Sequence, residues 1–159
     1  VFFETMEESL QDLQFIDERD WKKFLRILER TKRQKKSVLV RVHDEKQLVH
    51  AIEKSHCKYI LGSEKVHHKD SVHYVRSGLD LGILRTAKRR GKTICFSFCD
   101  FTKESKINLA GRLLARMKQS MALCRKEKVD VEVRCFCGSS KCEHDPKQIK
   151  SFERVVCKR

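Results

Sequence analysis

The chain has 159 residues, with 36 Lys and Arg against 22 Asp and Glu, a formal net charge of +14. That length suits one compact domain, residues 1–159, with a core of its own, and is short for two of ordinary size. The apolar runs are only a few residues long, where a membrane span needs roughly 18, and the acidic opening has no basic or apolar signal-peptide region. The chain opens with Val1 rather than Met, which leads us to expect further residues upstream.

Charge is spread unevenly. Residues 1–20 hold seven acids and Arg19 alone, a balance of −6, so the remainder carries +20. Such an imbalance points to a polyanionic partner, whether RNA, DNA or acidic lipid, or it serves solubility alone.

From Asp20 to about Lys35, Trp21, Phe24, Leu25 and Leu28 recur at helical spacing with Asp20 as N-cap, and Lys32, Arg33, Lys35 and Lys36 suit the helix C-terminus. Ser37–Val42 is an apolar, β-branched run and reads as a buried strand. Asp44 then caps a helix with Gln47 in the capping-box position and Leu48, Val49 and Ile52 inside. Cys57–Leu61 reads as a second strand and Gly62–His73 as a polar loop.

Ser77 and Asp80 form a second capping box, opening a helix with Leu81, Leu84 and Ala87 inward and Gly91 at its end. Thr93–Phe98 is a third strand. Lys103–Lys128 contains the longest helix, striped by Leu109, Leu113, Met117, Met121 and Cys124. Val129–Arg134 is a fourth strand. Asp145 and Pro146 stand as N-cap and N1 of a final helix buried through Ile149, Phe152 and Val156. Alternating strand and helix predicts a parallel sheet, with functional loops after its strands near His43, Gly62, Cys99 and Cys135. The elements are too few for eight βα units unless Val1–Ile16 adds a strand or two. The expectation is an α/β fold, TIM-barrel-like or an incomplete (β/α) barrel.

Basic residues form the leading candidate site. Arg85, Lys88, Arg89, Arg90 and Lys92 cluster at one helix end, and Arg112, Arg116, Lys118, Arg125 and Lys126 run along the long helix. Lys and Arg bind RNA mainly through phosphates, and guanidinium planes stack on splayed bases. Each charge taken singly also fits a solvated helix face.

Eight cysteines without a secretory signal argue against a disulfide scaffold. Cys57, Cys95, Cys124 and Cys157 fall in apolar patterning as buried thiols, and Cys99 is expected to be similar. Cys135, Cys137, Cys142 and His144 offer four ligands within ten residues, a set for tetrahedral zinc. Their C-x-C-x4-C-x-H spacing equally fits a reduced, metal-free loop. His67, His68, Asp70 and His73 invite a metallophosphoesterase reading. Residues 1–40 contain no histidine, however, so the H-x-H opening of barrel metallophosphoesterases is absent and a solvated loop is the better account. Neither G-x-S-x-G nor a P-loop occurs, so independent catalysis is not expected.

Over about Lys69–Val156 the order of pieces resembles the roughly thirty-kilodalton barrel-like protein subunit of archaeal and eukaryotic ribonuclease P. Arg76-Ser77-Gly78-Leu79-Asp80 is similar to the turn that opens a helix in archaeal members. Ala87-Lys88-Arg89-Arg90-Gly91 followed by Thr93–Phe98 is similar to the family's helix end and apolar strand. Arg112 and Arg116–Lys126 resemble its long basic helix, Val129–Val133 the next strand, and Asp145–Val156 its closing helix. Residues 1–36 match none of the family's N-terminal βα units, Glu64–His73 is expanded, and the cysteine-rich loop is not a family signature.

The resemblance implies a noncatalytic subunit. Cleavage of precursor tRNA at its 5′ leader belongs to the RNA subunit and its bound magnesium. The barrel protein pairs with a small α/β protein subunit and supports the catalytic RNA, without a membrane. It further implies that Arg76, Lys88, Arg89, Arg90, Lys92, Arg112 and Arg116 include contacts to RNA or to the protein partner. An archaeal cytoplasm is the expected compartment, with a nucleus as the eukaryotic alternative. A zinc-stabilised RNA- or DNA-binding module, or a barrel metallophosphoesterase, is the competing expectation.

Overall fold

The computed structural model describes residues 13–67, 77–136 and 145–157. Strand β1 (Gln14–Asp17) leads to helix α1 (Trp21–Arg33), and β2 (Val38–Arg41) to α2 (Glu45–Glu53). After β3 (Tyr59–Leu61) come a 3-10 turn at Ser63–Lys65 and helix α3 (Leu81–Arg89). β4 (Thr93–Ser97) runs directly into a short α4 (Phe98–Thr102), then the long α5 (Ile107–Glu127). β5 (Asp130–Arg134) precedes α6 (Pro146–Cys157).

The five strands pair in the order β1-β2-β3-β4-β5, and every pairing is parallel. The expected α/β alternation is therefore an all-parallel sheet, and β1 comes from the weakly patterned N-terminal region. Parallel neighbours need crossovers, and one-handed crossovers without any reversal of strand order stack all helices on one face. The core has that arrangement. Phe24 of α1, Leu48 of α2, Leu84 of α3, Met117 of α5 and Phe152 of α6 share one cluster with Ile16, Val40, Ile60, Phe96 and Val133. Full burial of each large side chain contributes about 1.5–3 kcal/mol. The two-residue period sends Leu39, Tyr59, Leu61 and Cys95 to the opposite face, into a smaller cluster with Leu13 and Phe136.

The caps fall where short acidic side chains precede apolar periodicity. Asp20, Asp44 and Asp80 accept hydrogen bonds from the backbone N–H of Lys23, Gln47 and Ile83. The third cap departs from expectation: Asp80 is the N-cap of α3, and the Ser77 hydroxyl instead donates to the Leu79 carbonyl. Gln47 also works differently from a simple capping box. Its Oε1 accepts the His43 N–H at 3.0 Å and its Nε2 donates to the Glu18 carbonyl at 2.9 Å, tying α2 to the end of β1. The stripe on α5 is buried at Leu113, Met117, Met121 and Cys124, whereas Leu109 in its first turn is 39% exposed. Among the described residues no helix is long and apolar enough to cross a membrane.

Candidate nucleic-acid interface

An all-parallel sheet with intervening helices gathers every helix C-terminus at one end, beside the strand amino ends. Basic side chains complement the negative helix C-terminus by about 0.3–1 kcal/mol each, so that end collects positive charge. The α1–β2 turn carries Lys32, Arg33, Lys35 and Lys36, and the α2–β3 turn Lys54 and Lys58. The α3–β4 turn carries Lys88, Arg89 and Arg90, and the α5–β5 turn Arg125, Lys126 and Lys128. All twelve are exposed, against the acids Glu53, Glu127 and Asp130, and Glu127 is paired with Arg85 at 3.2 Å. Lys35, Lys36 and Lys58 lie beyond helix ends, so helix capping does not account for them.

Adjacent strands are about 4.8 Å apart, so these four turns form a rim roughly 14 Å across, a span that several consecutive phosphates match. No Phe, Tyr or Trp occurs in the four turns. The rim therefore offers cationic groups and no aromatic ring on which a base could stack. The partly buried His56 has its pKa lowered by burial first, then by the buried Lys92, and then by Lys32 of the rim.

Of the basic residues singled out from sequence, Lys88, Arg89 and Arg90 stand together on this rim. Lys92 does not, and here the expectation is corrected. It is only 4% exposed, its Nζ donates to the Ser55 carbonyl at 2.8 Å and to the Cys57 carbonyl, and burial lowers its pKa. The ammonium is spent on tying α3–β4 to α2–β3. Arg116 is corrected likewise. It is 7% exposed and its Nη1 donates to the carbonyls of Glu64 at 3.2 Å and His67 at 2.5 Å, pinning the turn after β3 to α5. A buried guanidinium held this way does not reach an RNA. Arg112 is exposed, but sits in the first half of α5, toward the end opposite the rim. Arg76 lies outside the described residues. The turns at 32–36, 54–58 and 128 complete the rim; Lys35-Lys36 and Lys126-Glu127-Lys128 precede predicted strands, whereas Lys58 falls inside the predicted strand Cys57–Leu61 and gave no such signal.

At the carboxyl ends of the strands the chemistry is different. Arg41, last in β2, lies 3.5 Å from Asp17 and 3.3 Å from Asp100, which also takes Lys65 at 3.0 Å. His43 Nε2 is 2.7 Å from Asp17. Glu64 is wholly buried beneath this network, and neither carboxylate oxygen has a hydrogen-bond partner. Burial pushes its carboxyl up to about 7; the nearby Asp100 carboxylate adds to the rise, and Lys65 and Arg41 oppose it. Among the described residues, the opposite charges at this end are paired with one another.

Cys99 and Cys135 form a disulfide, which corrects the expectation for Cys99. Cys99 is not a lone buried thiol, and Cys135 in this state is no zinc ligand, because zinc requires the thiolate. Their pairing follows from adjacency: each lies just beyond one of two neighbouring strands, at a Cα–Cα distance of 5.4 Å. Cys137, Cys142 and His144 lie outside the described residues, among which no cluster of metal-ligand side chains occurs. Cys57, Cys95 and Cys124 are buried thiols, as expected. His67 is described and gives its carbonyl to Arg116; His68, Asp70 and His73 are outside the described residues. No family model matches the sequence, and no curated protein matches it significantly.

Proposed function

We propose that this chain is an RNA-binding protein subunit of a ribonuclease P ribonucleoprotein, the assembly that removes the 5′ leader of precursor tRNA. In this reading it supports the catalytic RNA through the amino-end rim and pairs with a small α/β protein subunit. The observation that carries the reading is the exposure of twelve Lys and Arg side chains along one end of the sheet. Folded RNA packs phosphates closely, and cations fixed on a rigid rim neutralise them while releasing counterions. The single-sided winding of helices on an unreversed parallel sheet is the arrangement an incomplete (β/α) barrel requires. The Gly78-Leu79-Asp80 helix opening and the Thr93–Ser97 strand add the sequence resemblance.

Phosphodiester cleavage is assigned to the RNA subunit with its magnesium. In this reading the described residues of this chain contribute positioned charge. An archaeal cytoplasm, or a eukaryotic nucleus, is the compartment this reading entails. The test is precursor-tRNA cleavage with a ribonuclease P RNA and the small α/β subunit, with and without this chain. Stimulation only in the complete mixture supports the proposal. Cleavage by the chain alone, or no stimulation, refutes it.

A further inference from the structure

The Cys99–Cys135 disulfide lies past the β4–β5 ladder, which is complete without it. Five residue pairs, from Thr93 with Asp130 to Ser97 with Arg134, already fix the register. A chain of this size with a continuous core needs no disulfide staple. What the bond fixes is the chain just beyond the two strands. Asp100, next to Cys99, receives Arg41 at 3.3 Å, and Phe136, next to Cys135, offers its carbonyl to the same guanidinium at 3.4 Å. A ring thus closes through Cys99, Asp100, Arg41, Phe136 and Cys135.

We infer that Cys99 and Cys135 are a reversible thiol-redox modification site, whose oxidised form holds Asp100 and the Phe136 carbonyl around Arg41 and whose reduced form releases them. Accessibility sets the chemistry. Cys99 is 1% exposed, whereas Cys135 is partly open. A small-molecule thiolate attacks Sγ of Cys135, the Cys99–Cys135 bond breaks, and the electron pair leaves on Cys99, which takes a proton. A second thiolate attacks the outer sulfur of the mixed disulfide and releases Cys135, which is protonated in turn. Two external thiols become one external disulfide, and glutathione disulfide drives the reverse. Burial raises the pKa of Cys57, Cys95 and Cys124, so none of the three competes as a thiolate. The site lies at the end of the sheet opposite the basic rim, so it stands whether or not the RNA reading does.

The test uses the full chain, purified without reductant, then treated with dithiothreitol and afterwards with glutathione disulfide. Alkylation and peptide mapping should find Cys99 and Cys135 joined at first, both alkylated on the folded protein after reduction, and joined again after oxidation. Hydrogen exchange at residues 99–101 and 135–136 should quicken by roughly tenfold or more on reduction, while β2 and β3 hold their protection. In Arg41→Met that redox difference should shrink, because the ring has lost its centre; a bond acting only as a staple would keep it. The C99S/C135S double variant, which still has the ladder, should exchange at the fast rate under both conditions. Pairing of Cys135 with another cysteine, failure to re-form the bond, or exchange indifferent to reduction would each overturn the inference.

Discussion

Replacing Glu64 with Gln should stabilise the protein at alkaline pH and do little in acid. The Glu64 carboxyl has no hydrogen-bond partner and titrates at about 7 in the folded protein, against 4.5 for an ordinary glutamate. Between those values the folded state keeps a proton that the unfolded chain has lost, so stability falls as pH rises through the window. Below about pH 4.5 both states are protonated and the group is silent. Above 7 the full cost applies, and at 1.36 kcal/mol for each pKa unit it is about 3 kcal/mol. Gln keeps the volume and removes the ionisation. Urea unfolding should show Glu64→Gln more stable by less than about 1 kcal/mol at pH 5 and by about 3 kcal/mol at pH 8. The melting temperature at pH 8 should rise by roughly 5–10 °C. An equal gain at both pH values would refute the titration argument. A loss at pH 8 would mean that the carboxylate is ionised and paired in the folded protein.

The remaining predictions concern the rim, the buried Lys92 beside it, and the Gly78 turn at the opposite end of the sheet. Changing Lys88, Arg89 and Arg90 together to Ala should reduce the salt dependence of RNA binding by roughly two to three counterions and leave the melting temperature unchanged, read by filter binding across a salt series. Lys92→Ala should do the reverse: it strands two carbonyls, costs about 2–3 kcal/mol in urea unfolding, and leaves the salt slope intact. Gly78→Ala should destabilise by about 2 kcal/mol or more, since φ is +69° and an added Cβ would meet the Ser63 carbonyl oxygen at 2.6 Å. Its measurement is the same unfolding curve. Unaltered stability in Gly78→Ala would show that the turn relaxes freely.

Local chemistry made much of the fold legible. Asp20 and Asp44 announced their helices because a short carboxylate before an apolar period satisfies N–H groups that nothing else reaches. The strands at Val38 and Thr93 announced themselves by buried apolar runs. Asp80 displaced Ser77 as cap because the helix begins at Leu81, a choice between two competent side chains that spacing does not make. The rim was legible as residues but not as a surface: only parallel pairing brings the turns before β2, β3, β4 and β5 side by side. Lys92 and Arg116 looked like their exposed neighbours, because nothing in a basic run marks the side chain whose donors meet buried carbonyls. The Cys99–Cys135 pairing is likewise tertiary, set by the neighbouring ends of β4 and β5 across 36 residues of chain. The Glu64 carboxyl sat in a stretch that reads as polar loop, and only the turn after β3 packed beneath Arg41 and Asp100 takes it out of water.

The central claim is that RNA lies against the amino end of the sheet. Ultraviolet crosslinking of the full chain to a ribonuclease P RNA, with the linked peptides mapped by mass spectrometry, tests it most directly. The account predicts crosslinks concentrated in residues 32–37, 53–58, 88–92 and 125–130, lost together at high salt. Crosslinks concentrated instead after the strands, around Arg41, Lys65 and Asp100, would contradict it and move the RNA to the opposite end of the fold.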